Sequence, residues 1–234
     1  MHMLMTASSL KYSPSTLSLI RMLAGYEGER FARNKAQFRD AITNFQNLLR
    51  TERTPDALTL QGLLLVREGR DLDALRCFNQ AIQASAKEND SASDKDQPTT
   101  TIPAIRKPKW TYEPTLHQNR GLILLRQGRT EEATASFQIA ALELDMPEAY
   151  LSLAKLLPQG APDKETYLLK AAQAGNFEAC ELLALELLDK IAEPEIAEED
   201  RVFAARMAGE WALILPEEEK REKLKALLAE RLEG

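Results

Sequence analysis

Apolar residues recur every three to four positions along most of the chain, and glycine, proline or short polar runs break the recurrence at intervals. Leu58, Gly62, Leu65 and Val66 form one such stripe, the spacing of a helix with a single apolar face. Gly69 stands where the stripe ends, as a left-handed C-terminal cap requires. After a polar turn, Ala74, Phe78, Ala81 and Ile82 form a second stripe. Upstream, Leu17, Ile20, Leu23 and Ala24, then Phe38, Ala41, Ile42, Phe45, Leu48 and Leu49, predict two helices between Pro14 and Arg50. Pro216 opens a last helix. Glu217, Glu218 and Glu219 suit its positive end and Arg231 its negative end, and Leu224, Leu227, Leu228 and Leu232 line one side.

The stretch from Gly121 to Ala140 nearly copies an earlier one. A shift of 59 positions brings Gly62, Leu63, Leu65, Arg67, Gly69, Arg70, Ala74, Phe78 and Ala81 onto Gly121, Leu122, Leu124, Arg126, Gly128, Arg129, Ala133, Phe137 and Ala140 without a gap. Small residues at Gly62, Ala74 and Ala81 let two antiparallel helices approach closely, and Phe78 fills the space beside them. A single hairpin of this kind cannot bury both of its apolar faces, so such units stack. Ala41, Phe45 and Leu48 carry the same four-then-three spacing 33 residues before Ala74, Phe78 and Ala81. A divergent first unit is therefore predicted, with Glu29 where a glycine is expected and glycines at Gly25 and Gly28 instead.

The order glycine, glycine, alanine, aromatic, alanine resembles the tetratricopeptide repeat, matched at Gly62, Gly69, Ala74, Phe78 and Ala81 and again at Gly121, Gly128, Ala133, Phe137 and Ala140. Such repeats run about 34 residues, so the offset implies an insertion of about 25 between the copies. The segment from Lys87 to Pro114, rich in small polar residues and proline, has the composition of a disordered loop. Ser91, Ser93, Thr99, Thr100 and Thr101 are candidate phosphorylation sites within it. Arg106, Lys107, Lys109 and Trp110 could fold back onto the repeats or dock on a partner. Asn89-Asp90-Ser91 fits a glycosylation sequon, read here as chance. Further on, LLKAAQAGNFEACELLA is similar to a Sel1-like repeat through Lys170, Ala171, Ala172, Gly175, Asn176 and Ala179. Glu148 to Ala154 recurs at Glu178 to Ala184, an offset of 30, and Tyr167 to Ala172 recurs at Phe203 to Ala208, an offset of 36.

These resemblances imply an all-α fold, a right-handed α-solenoid of antiparallel hairpins with a C-terminal capping helix. The expected organisation is a disordered start over 1–13, with Met1-His2-Met3 as a tag remnant, and a single solenoid over 14–234. Its hairpins would cover about 14–50, 54–86, 114–145, 147–175 and 177–212, with a cap at 216–233 and a disordered insertion at 87–113. In the tetratricopeptide family the first helix of each hairpin lines a concave, peptide-binding wall. By that likeness the wall would include Thr59, Leu60, Leu63 and Arg67, then Gln118, Asn119, Leu122 and Arg126, with Lys155 extending the strip. Asn119 would hydrogen-bond a peptide backbone, and arginines facing the groove would favour an acidic peptide. The lysine-rich clamp for terminal carboxylates is not matched, because Thr59 and Leu63 stand in place of lysine and asparagine.

Composition narrows the function. The 234 residues are 44% hydrophobic and 28% charged, with a net charge of −6 and no long basic tract, which argues against a nucleic-acid surface. No run is long and apolar enough for a membrane span. Cys77 and Cys180 read as reduced packing residues of an intracellular, cytoplasmic protein, or a mitochondrial one if a targeting peptide has been removed. His2 and His117 are the only histidines, and His117 falls on a packing position. No zinc spacing, phosphate loop or nucleophile elbow is present, and the carboxylates cluster at helix starts. The expectation is a non-catalytic adaptor or assembly factor without cofactor that grips a partner's peptide or helix. A structural subunit using its convex face and terminal helices is the second reading, and an enzyme accessory protein the third.

Overall fold

The computed structural model describes residues 2–10, 12–89 and 105–233, which form thirteen α-helices and one π-helical turn, with no strand among the described residues. The fold is all-α. Contacts divide the chain into two compact units, Met1–Ala140 and Ala141–Gly234. The first holds α1 (His2–Ser9), α2 (Ser13–Ala24), α3 (Gly28–Gln37), α4 (Arg39–Thr51), α5 (Pro55–Arg67), α6 (Asp71–Asn89), α7 (Glu113–Arg126) and α8 (Thr130–Gln138). The division falls within the π-helical turn Ile139–Glu143. The second unit holds α9 (Pro147–Leu156), α10 (Pro162–Gln173), α11 (Phe177–Ile191), α12 (Glu198–Ile214) and α13 (Glu218–Glu233).

The two copies found in the sequence fold alike. A Cβ built on Gly62 would lie 2.3 Å from the ring of Phe78, and one on Gly121 would lie 2.4 Å from the ring of Phe137. Glycine is needed because each ring sits directly on the partner helix's backbone. Both phenylalanines are fully buried. The stops match as well: Gly69 has φ 74° and Gly128 φ 75°, the left-handed conformation that a side chain disfavours. Arg70 N–H then donates to Leu65 O at 2.9 Å and Arg129 N–H to Leu124 O at 3.0 Å, which satisfies carbonyls left over at each helix end. Thus α5 packs on α6 and α7 on α8 through the same contacts.

The amino-terminal end departs from expectation in two ways. Residues His2–Ser9, expected to be irregular, form α1. It is held because Leu4 and Met5 pack against the core of Leu19, Ile20 and Phe45. The buried Ser8 hydroxyl also lies 2.9 Å from that of Thr16, and Asn44 Nδ2 donates to Ser8 O at 2.8 Å. Three helices then occupy the span where two were predicted. The helix α3 starts at Gly28, whose φ is 50°, and is anchored by the buried Phe31. The first hairpin is therefore α2 against α4, with α3 between them in sequence.

In the second unit α9 packs on α10 and α11 on α12. Gly175 has φ 86° and ends α10, and the Asn176 side chain then accepts from Ala179 N–H at 3.0 Å to cap α11. Ala171, Ala172 and Cys180 are buried there. Leu224 of α13 is buried, whereas Leu232 is 56% exposed, so the predicted leucine stripe is covered only in part. Tyr150 donates its hydroxyl to Asp145 Oδ1 at 3.1 Å. Burial first, then that bond and the Asp145 charge, pushes its phenol up to about 12.

Candidate functional site

The end of the insertion is the feature that bears most on function. Residues 105–112 were expected to be disordered together with the rest of 87–113. Instead they form an ordered strap against α5 and α2, while Lys87 to Asn89 extend α6. The candidate phosphorylation residues Ser91, Ser93, Thr99, Thr100 and Thr101 lie outside the described residues. Alternating Lys109, Trp110, Thr111 and Tyr112 turn outward and inward, so that Trp110 is buried and Lys109 and Thr111 are exposed.

Each anchor of the strap has a chemical reason. Trp110 Nε1 donates to Thr59 Oγ1 at 3.2 Å, giving the buried indole the partner its N–H needs. Asp56, in the first turn of α5, accepts from Tyr112 N–H at 3.1 Å and from Thr111 Oγ1 at 3.4 Å. The Arg21 guanidinium of α2 lies 5.9 Å from the centre of the Tyr112 ring. Glu113, which opens α7 and is 2% exposed, accepts from both terminal nitrogens of Arg106 at 2.8 and 3.0 Å and from Lys109 N–H at 2.6 Å. A bidentate, charge-assisted pair of this kind compensates a buried carboxylate.

Protonation equilibria follow from this geometry. Burial alone would raise the Glu113 carboxyl, but the bonds from Arg106 and Lys109 outweigh it and hold the group below its ordinary value. Asp56 goes the other way: burial exceeds its bonds from Tyr112 and Thr111, and its carboxyl is raised. Burial, with the Asp56 charge, also raises the Tyr112 phenol against the opposing pull of Arg21. The two carboxylates holding the strap are thus displaced in opposite directions.

The predicted wall residues are found in different settings. Thr59 is fully buried under Trp110, and its hydroxyl also donates to Pro55 O at 2.7 Å. Leu60 is fully buried in the core shared with α2 and α4, and Leu63 packs at the edge of that core. Neither Thr59 nor Leu60 is open to a ligand, because the strap covers one and the first hairpin the other. Gln118 is buried and Asn119 half-buried, with Asn119 Nδ2 donating to Thr115 O of its own helix at 2.8 Å. Leu122 is 37% exposed.

Both repeated arginines bind the turn of the preceding hairpin. Arg67 Nε donates to Ala24 O at 2.8 Å and Nη1 to Glu27 at 2.7 Å. Arg126 forks onto Asp71, with donors 2.9 to 3.1 Å from its oxygens. They register one hairpin against the next, and the reason for expecting an acidic ligand is thereby removed. Lys155, in the second unit, pairs with Glu178 at 2.5 Å.

Sequence reasoning missed a cavity of about 410 Å³ between α2 and α4, lined by Ser13, Thr16, Asn44, Asn47, Arg50 and Thr51 among others. Its signal was the polar run Asn44, Asn47 and Thr51 at helical spacing on α4. Its lining holds hydroxyls, amides, Leu48 and the single charges of Arg50 and Glu52, without a histidine or cysteine. Cys77 and Cys180 are free thiols, each raised by burial. Among the described residues no group of three His, Cys, Asp or Glu side chains is placed to hold a metal ion, and no helix is long and apolar enough to cross a membrane. Compared with known proteins, the chain matches no family model and no curated protein.

Proposed function

We propose that the chain is a non-catalytic adaptor or assembly factor, a right-handed solenoid of tetratricopeptide-like and Sel1-like hairpins that holds extended peptides on the first-helix side of its hairpins. The observation that supports this reading is the strap. A short non-helical segment that turns at Trp110 to Tyr112 already lies on that side, held by an indole N–H, a main-chain N–H and a ring face instead of by continuous core packing. Peptide capture on helical repeats uses the same elements. The residues that hold the strap, Thr59, Asp56 and Arg21, define a preference for a peptide that offers an indole N–H, a main-chain N–H and an aromatic ring. In the resting chain the ligand position is filled by Trp110 and Tyr112.

A labelled peptide with the sequence of Ile105 to Tyr112 tests this. Added to the Trp110→Ala chain, it should bind in trans with an affinity at least roughly tenfold above that for the unaltered chain, a gap of about 1.4 kcal/mol. Adding Asp56→Ala should remove the binding, with helicity by circular dichroism unchanged throughout. Failure of the peptide to bind a folded Trp110→Ala chain would sink the proposal.

A further inference from the structure

The helix α12 is turned inside out relative to an ordinary surface helix. Its buried residues are the small Ala204, Ala208 and Ala212, while Val202, Phe203, Leu213 and Ile214 are 59%, 61%, 64% and 51% exposed. At 3.6 residues per turn these four share one side of the helix with Arg206 and Glu210. The side reads apolar pair, arginine, glutamate, apolar pair. The two apolar pairs stand 11 residues apart (213 − 202), or about 16 Å along the axis.

Reversed about the level of Ala208, that order repeats in polarity and inverts in charge. Turning a second α12 end for end about a two-fold axis at Ala208 sets the Val202–Phe203 pair opposite the Leu213–Ile214 pair, with Val202 nearest Leu213 and Phe203 nearest Ile214, and sets Arg206 opposite Glu210, each contact occurring twice. An isologous interface requires this self-complementarity, in which residue i meets j and j meets i. A foreign helix requires no such symmetry of the face it binds. Arg206 and Glu210 are 74% and 51% exposed in their side chains and pair within the helix at 3.0 Å, so both are available to exchange partners with a second copy. Beyond the apolar pairs, α12 begins with the acidic run Glu198 to Asp200 at one end and stops at Ile214 at the other. These ends confine the contact to the stretch from Val202 to Ile214.

We propose that this face pairs antiparallel with the same helix of a second copy of the chain. The contact is short, below the size of a standard interface, so the dimer is a weak one that forms with rising concentration. It is independent of the strap and of the peptide-binding reading above.

Sedimentation of the full chain over a wide concentration range tests it. The unaltered chain should pass from monomer to dimer, and Phe203→Asp, at an exposed position, should abolish the dimer while leaving helicity intact. Arg206→Glu alone and Glu210→Arg alone should each weaken self-association by roughly tenfold, as opposed charges give way to like ones. Mixed in equal amounts, the two variants should recover a heterodimer, since the acid introduced at 206 then faces the base introduced at 210. A chain that stays monomeric, a dimer indifferent to Phe203→Asp, or no recovery on mixing would each overturn the proposal. So would a monomer that instead binds a foreign helix through Phe203.

Discussion

The hairpins α5–α6 and α7–α8 have the same interior and different outer sides. Inside, Gly62 receives Phe78 as Gly121 receives Phe137, and the two helix stops at Gly69 and Gly128 agree within a degree in φ. Outside, the hydroxyl of Thr59 of α5 lies under Trp110, while the equivalent position of α7 carries the longer amide of Gln118. The comparison teaches that repetition here preserves packing geometry and leaves the exposed side free to diverge. A glycine facing a ring tolerates no side chain. A hydroxyl or an amide at the neighbouring position costs little until another part of the chain folds onto it.

The severest test of that equivalence is to fill the two glycines. Gly62→Ala and Gly121→Ala each force a methyl against a buried ring and should destabilise by about 1 to 3 kcal/mol, the range for overpacking. Replacement of a helical glycine would otherwise favour the helix. Thermal or denaturant unfolding should show the same loss at both positions, and a large loss at only one would mean that the copies do not share a geometry.

The next test separates the copies through the strap. Glu113→Gln removes the charge that Arg106 and Lys109 satisfy and should cost about 1 to 3 kcal/mol at neutral pH. The sign with pH follows from the lowered carboxyl of Glu113. Its stabilisation is complete above the ordinary glutamate value and is lost as pH falls through its depressed folded value. The stability gap between the unaltered chain and the variant should therefore close on acidification. Asp56, displaced the opposite way, is present in both chains and drops out of the difference. A gap that stays constant with pH would mean that the pair does not hold the strap as a charge.

The smallest effects concern the two arginines. Arg126→Ala breaks a half-exposed pair with Asp71 and should cost no more than about 1 kcal/mol. Arg67→Ala also loses a bond to the Ala24 carbonyl and should cost somewhat more, by about 0.5 to 1.5 kcal/mol. A double replacement whose loss matches the sum of the singles would show that each arginine acts only on its own preceding turn.

Part of this protein was legible from residue order alone. Periods of three to four, glycines at 69, 128 and 175, and the paired glycine and phenylalanine 16 residues apart (78 − 62, 137 − 121) specify helices, stops and close approach. Each of these is set by backbone sterics and by neighbours within a few turns. Tertiary structure decided the rest: the strap on α5, the arginine clamps, α1 packed on the first hairpin, and the outward side of α12. The strap and the clamps depend on contacts between residues 40 to 56 positions apart, such as Arg67 with Glu27 and Tyr112 with Asp56, and α1 is held to α4 by one 36 positions away. A tryptophan or arginine has many chemically equivalent partners along the chain, and only the folded path determines which one it reaches. The same holds for α12: its sequence contains enough apolar residues for a buried face, but packing against α11 accepted the alanines, whose small size permits close approach, and left the large side chains outside.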